Sequence, residues 1–245
     1  MRKKAASLFK GKQIIEWRSH EPSRLETFSD AVFAFAVTLI IVSLEVPKSF
    51  TELFETMKGT LSFAACFGAL FQIWNQQNIF FRRYGLHNSA TNTLNGALLF
   101  VVLLYVYPLK FLFSLLFDNN SFVESGHAHE MISTAQMPTL MLIYGSGFTA
   151  INLLFCLMYL TAKKHAKELK LKPVEMFETQ TVIYVNLTLT LIGVTAMLLA
   201  WLLPVEYSGM SGFTYMLIGL AYWIWYSYRG KMARKKFGPV TDPAS

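Results

Sequence analysis

The sequence predicts an all-α, polytopic membrane protein with six transmembrane helices and both termini in the cytoplasm. Three observations carry that expectation. Of 245 residues, 53% are hydrophobic and only 15% charged, against about 25% charged in an ordinary soluble domain. The apolar residues gather into six long stretches. Lys and Arg fall almost wholly into alternate connections between those stretches. This composition argues against a disordered chain, a soluble enzyme of ordinary make-up and a disulfide scaffold.

The six stretches are 31–46, 62–81, 94–117, 138–160, 182–203 and 212–225. Crossing the hydrocarbon takes about 20 helical residues. The first and last are short, and amphipathic turns at 24–30 and 226–229 extend them. Strands of a lipid-facing barrel would alternate in character over about 10 residues, which these even runs do not. No internal repeat stands out.

Orientation follows the basic residues. The N-terminal arm holds Arg2, Lys3, Lys4, Lys10, Lys12, Arg18 and Arg24. The second connection has Arg82 and Arg83. The fourth has Lys163, Lys164, Lys167, Lys170 and Lys172, and the tail has Arg229, Lys231, Arg234, Lys235 and Lys236. The first, third and fifth connections hold only Lys48 and Lys58. An even number of spans puts both termini on one side, in agreement with the charges. The net charge of +7 is thereby accounted for as a sidedness signal, and no nucleic-acid partner is expected. Glu45, Glu52, Glu55, Asp118, Glu124, Glu130 and Glu206 fall on the outer side. They either raise the local cation concentration or are simply free to sit there.

Residues 1–23 form a basic cytoplasmic arm, 24–229 the six-helix transmembrane domain and 230–245 a basic cytoplasmic tail. Leu8, Phe9, Ile14, Ile15 and Trp17 among the arm's cations fit an interfacial helix on anionic lipid or a frayed arm. No apolar run near the N-terminus ends in a cleavage site, so no cleaved signal peptide is expected. Cys66 and Cys156 lie in apolar runs and read as buried hydrophobes.

Ionisable groups at membrane depth are costly and mark functional candidates. Asp30 and Glu45 sit at the two ends of the first helix, and Lys110 lies in the third, two residues after Pro108. The other four spans have no Asp, Glu, Lys or Arg at their centres. A proton- or ion-coupled carrier needs carboxylates or histidines near the midplane, so that alternative is weakened. A membrane enzyme is weakened likewise, because no carboxylate pair or His cluster appears there. His127 and His129 beside Glu130 lack the four ligands of a closed zinc site, and no metal or cofactor is expected. A scaffold without transport is a further alternative.

The first helix is the informative one. At 100° per residue, Phe28, Ala31, Phe35, Thr38, Leu39, Val42 and Val46 share one face. Ser29 and Asp30 point elsewhere. Thr38 is the only polar side chain between Asp30 and Ser43. Its hydroxyl either bonds only the carbonyl of Ala34 or joins a polar ring with those of other subunits. In the second case Phe35, Leu39 and Val42 form apolar rings that gate by dewetting. Ser29 and Asp30 either cap a helix that begins there or join an interhelical network. Its partners would come from the run 72–78 around Trp74 and Gln77, and from Asn88, Asn92 and Asn95.

Arg24-x-x-x-Phe28-Ser29-Asp30, followed by Ala-Val-Phe-Ala-Phe-Ala-Val-Thr-Leu, resembles the transmembrane protein 175 family of potassium channels. Trp74, Phe80, Phe81, Leu94-Asn95 and Pro108 extend the likeness over about 24–108, and the last three helices match only in number and hydropathy. The resemblance implies a homotetramer in the cell membrane whose first helices line a central pore permeable to K⁺ without a Thr-Val-Gly-Tyr-Gly filter. It assigns the constriction to Phe35, Leu39 and Val42, and it leaves Arg24, Phe28, Ser29 and Asp30 to hold the first helix against its neighbours. K⁺ would pass near Thr38. Phe35 is aromatic where the family usually has Ile or Leu, and Gln77 stands where many members carry His.

Overall fold

The computed structural model describes residues 13–19, 21–42, 48–50, 54, 60–117, 121–124, 127–130, 132–238 and 240–241. It is helical, with two minor strand pairs that the all-α expectation did not include.

Helix α1 (Arg24–Val42) starts from a reciprocal cap. The Glu26 amide donates to Ser23 Oγ at 3.2 Å, and the Ser23 amide donates to Glu26 Oε1 at 3.0 Å. Two amides without helical partners are thereby satisfied. The helix therefore begins well before Ser29 and Asp30. The reading of those two as caps is overturned, since both sit in the helix interior.

Helices α2 (Thr60–Tyr84) and α3 (Ser89–Phe117) are joined by a tight turn. Gly85 adopts φ +55° there, a left-handed conformation that costs glycine little. Asn88 Oδ1 accepts from the Thr91 amide at 2.8 Å, so Asn88 caps α3. Within α3, Lys110 Nζ donates to the carbonyl of Ile40 at 3.2 Å. A cation is well placed there, because the last carbonyls of α1 carry the negative end of its dipole.

An antiparallel pair, β2 (Ser121–Glu124) and β3 (His127–Glu130), lies between α3 and α4 (Met137–Lys164). Helix α5 (Pro173–Leu202) follows, then a 3₁₀ segment (Val205–Met216) and α6 (Leu217–Phe237). The expected sixth span, 212–225, thus opens in 3₁₀ geometry, and its helix runs on past Arg229. Ser208, Gly209, Ser211 and Gly212 are weak α-formers. Ser208 and Thr214 donate their hydroxyls to carbonyls three residues back, Val205 and Ser211, which suits the tighter winding. Three of the helical segments, Ser89–Phe117, Thr134–Lys164 and Pro173–Leu202, are long and apolar enough to cross a membrane by themselves.

The main core is shared by α1 to α4. Phe33, Ala36 and Ile40 meet Leu70, Phe80, Phe81, Leu98, Val102 and Phe155. A smaller cluster joins α5 to α6 through Val185, Leu189, Ile192 and Ala221. Small residues let the helices approach closely, as is usual where lipid removes the hydrophobic drive. A Cβ on Gly147 would overlap the Tyr105 ring, and one on Gly193 would overlap Thr149 Oγ1.

Four basic segments meet at one end of the bundle. Strand β1 (Gln13–Ile14) pairs in parallel with β4 (Val240–Thr241). The Arg18 and Ser19 amides donate to the Arg82 carbonyl at 2.9 and 3.2 Å. The Arg18 guanidinium grips Glu175 through Nη2–Oε2 at 2.7 Å and Nη1–Oε1 at 3.2 Å, and its Nε donates to the Leu169 carbonyl at 3.0 Å. Arg82 stacks over Trp17, 4.1 Å from the ring centre. Within the arm 1–23, expected as an interfacial helix or a frayed arm, the stretch 13–19 is instead docked, non-helical chain. Leu8 and Phe9 lie outside the described residues.

Candidate functional site

Helix α1 has two unlike sides. Ser29, Phe33, Ala36 and Ile40 are buried against α2 and α3. Phe28, Ala31, Ala34, Phe35, Thr38 and Ile41 are exposed, Phe28 by 61% and Phe35 by 57%. Leu39 is half-buried and packs on the core. The side chain of Val42, and Glu45, lie outside the described residues. Among the described residues, the face that the helical period groups around Phe35 and Thr38 is therefore exposed at Phe28, Ala31, Phe35 and Thr38.

Thr38 Oγ1 donates to the Ala34 carbonyl at 2.9 Å. A hydroxyl has one proton and two lone pairs. With its proton committed to the backbone, Thr38 presents oxygen lone pairs outward, which suits a cation and not an anion. Its neighbours on that face are apolar.

Two polar links, one buried and one exposed, fix α1 to its neighbours. Gln77 Nε2 donates to Asn95 Oδ1 at 2.6 Å, and Asn95 Nδ2 donates to Ser29 Oγ at 3.0 Å. Ser29 passes its own proton to the Leu25 carbonyl at 2.8 Å. Ser29, Gln77 and Asn95 are each at most 2% exposed. The second link is Trp74 Nε1 to Asp30 Oδ1 at 2.7 Å, at an exposed position. Together they tie α1 to both α2 and α3. Arg24 and Phe28 are not brought into this network. Both are exposed, Arg24 at the first helical position.

Three further polar contacts were not legible as sites. Gln76 Nε2 donates to Asn186 Oδ1 at 3.1 Å and bridges α2 to α5. The Arg18–Glu175 pair joins the arm to the start of α5. In the sequence Arg18 stands only as one of the basic residues that set orientation. An acid two residues after a proline that opens an apolar run, as Glu175 follows Pro173, is a helix-start signature and was the available clue. Lys110, noted as an isolated charge, meets the end of α1. The side chains of His127 and His129 lie outside the described residues. Among the described residues no group of three or more His, Cys, Asp or Glu is placed to hold a metal ion.

The family model described as "Endosomal/lysosomal potassium channel TMEM175" matches residues 24–105. A potassium channel of Marivirga tractuosa is 37% identical over 216 residues, which is 82% of this chain and 85% of that protein. A potassium channel of Chamaesiphon minutus is 28% identical over 96 residues, 36% of this chain and 47% of that one. Among solved structures, the crystal structure of the potassium channel MtTMEM175, T38A variant, bound to a nanobody–MBP fusion, superposes with a TM-score of 0.75 at 35% identity. It covers 91% of this chain and 97% of its own. The lysosomal potassium-selective channel TMEM175 homolog from Chamaesiphon minutus gives a TM-score of 0.52 at 18% identity over 88% and 99%. That second likeness concerns the fold alone.

Proposed function

Because this multi-pass membrane protein belongs to the TMEM175 family, one of channels and not of enzymes, we propose that it is a K⁺-selective channel of the cell membrane. Four copies pack with α1 innermost. Both termini and the four basic segments face the cytoplasm. The observation that carries this reading is the uncovered α1 face bearing Phe28, Ala31, Phe35 and Thr38. Its opposite side is anchored by Ser29 and Asp30.

On this reading Phe35, Leu39 and Val42 form apolar rings around the axis. A narrow apolar ring excludes water, and an ion cannot cross cheaply without its shell. Thr38 lies between those rings. Four outward-facing hydroxyl oxygens offer a weak, neutral ligand set. Such a set replaces the looser hydration of K⁺ better than the tighter hydration of Na⁺. Arg24 and Phe28, both exposed, are left for the neighbouring subunit.

Liposome flux tests the proposal. Purified protein in vesicles with an outward K⁺ gradient should release K⁺ several-fold faster than Na⁺ under the matched Na⁺ gradient. Equal release with and without the protein overturns it.

A further inference from the structure

Helix α6 lies farthest from α1 in the order of packing. Its main contacts among the described residues are with α5 and the 3₁₀ segment, and α5 in turn packs on α4. The side of α6 that meets α5 is occupied. Trp225 Nε1 donates to Thr188 Oγ1 at 2.9 Å, and Arg229 Nε donates to Thr181 Oγ1 at 2.9 Å. The Arg229 guanidinium lies 3.8 Å over the Phe177 ring. The opposite side is exposed along an arc of about 120° on the helical wheel. It carries Leu220, Ile224, Tyr228, Lys231, Arg234 and Lys235 in chain order. Its chemistry changes along its length: the first two are apolar, Tyr228 stands at the change, and three cations follow within about 6 Å of helix rise. Among the described residues no carboxylate pairs with those three.

We propose that this face of α6 binds an anionic phospholipid, with the phosphate held by Lys231, Arg234 and Lys235 and an acyl chain lying along Ile224 and Leu220. The proposal rests on the assembly above only in taking α1 as innermost, which leaves α6 at the rim. Sidedness requires cations near the helix end, but it does not require them on one face. Here the tail cations are sorted. Arg229 and Lys236 are turned to the rings of Phe177 and Phe237, and the other three share the outward arc. A tyrosine at the junction suits the headgroup level of a bilayer. Basic residues just beyond a membrane helix attract anionic lipid, each by about fivefold in affinity. A zwitterionic lipid fits less well, because its own ammonium would stand among the three cations. A free anion would use the cations and leave Ile224 and Leu220 without a role.

The test is native mass spectrometry of the full-length protein released from detergent, titrated with palmitoyl-oleoyl phosphatidylglycerol and with palmitoyl-oleoyl phosphatidylcholine. The anionic lipid should bind at least tenfold more tightly. The triple variant Lys231→Gln, Arg234→Gln and Lys235→Gln should lose at least tenfold in affinity for it and bind phosphatidylcholine as before. A control triple at the exposed Lys163, Lys164 and Lys167, each changed to Gln, should keep the preference. Inorganic phosphate in hundredfold excess over the lipid should not displace it. Should the α6 triple variant fail to fold, Arg234→Gln alone decides, with an expected loss of about fivefold. Equal affinities for the two lipids, wild-type binding by the α6 variant, an equal loss in the control, or displacement by phosphate overturns the proposal. The same spectra count the copies in the assembly, so a failure of fourfold assembly and a failure of lipid binding are read apart, and neither depends on K⁺ flux.

Discussion

Asn95 donates to Ser29 Oγ across 3.0 Å, and neither residue has any exposed surface. The pair joins the third helix to the first at a depth where neither side chain reaches water. Asn95 also accepts from Gln77, so one amide holds three helices in register. Removing it leaves the Gln77 amide without its acceptor, an unmet buried group that costs about 1–3 kcal/mol, and takes from Ser29 Oγ the hydrogen bond it accepts.

Asn95→Leu should therefore lower the melting temperature of the detergent-solubilised protein clearly. Ser29→Ala, which strands only one amide hydrogen, should lower it less. A melt unchanged by Asn95→Leu would mean that the network contributes nothing to helix packing.

Thr38 presents the opposite case. Its single hydrogen bond is to its own helix, and its face is uncovered. Thr38→Ala should leave the melt within about 0.5 kcal/mol of wild type, as expected of surface changes. On the pore reading it should also shift the reversal potential in mixed K⁺ and Na⁺ toward lower selectivity. Bilayer recordings check this, and an unaltered reversal potential removes the hydroxyl from the permeation path.

The sequence made some of this arrangement readable and hid the rest, for physical reasons. A 100° period separates Ser29 from Phe35 and Thr38 with no further information, because helix geometry alone sets the angle. Amides inside apolar runs, such as Gln77 and Asn95, stand out because they need partners. Which amide meets which partner depends on helix rotation, and here Asn88 caps its own helix while Gln76 reaches Asn186. The start of α1 at the Ser23–Glu26 cap had been obscured by the stronger apolar signal that begins at Ala31. The winding of 205–216 follows from local hydroxyl and glycine chemistry that hydropathy does not register. The docking of Arg18 on Glu175 joins positions far apart in the chain, and basic residues that mark sidedness also make such contacts.

That docking has a consequence for the arm. Glu175 accepts from the Arg18 guanidinium and from the amides of Glu16 and Lys172. Glu175→Ala leaves a largely buried guanidinium without its counter-charge, a loss of about 3 kcal/mol at the low end for such pairs. The arm should come loose, and trypsin should cut after Arg18 several-fold faster than in wild type. Cleavage at the wild-type rate would show that the pair does not hold the arm.

Gly147 tests the helix packing. An alanine methyl there would overlap the Tyr105 ring, whose hydroxyl is fixed to the Tyr144 carbonyl at 3.0 Å. Gly147→Ala should destabilise the protein by about 1–3 kcal/mol, as overpacking does. Gly219→Ala, with nothing within 4 Å of the added carbon, should be nearly silent. Equal melts for the two variants would contradict the close approach of α3 and α4.

The central claim is that the Thr38 side of α1 faces the ion path. Ag⁺ is close to K⁺ in size and binds thiols tightly, and the native Cys66 and Cys156 are both buried. K⁺ currents through Thr38→Cys channels should be blocked irreversibly by micromolar Ag⁺, while wild type and Ile40→Cys, placed on the buried side, keep conducting. Rapid block of Ile40→Cys with Thr38→Cys unaffected would contradict the account.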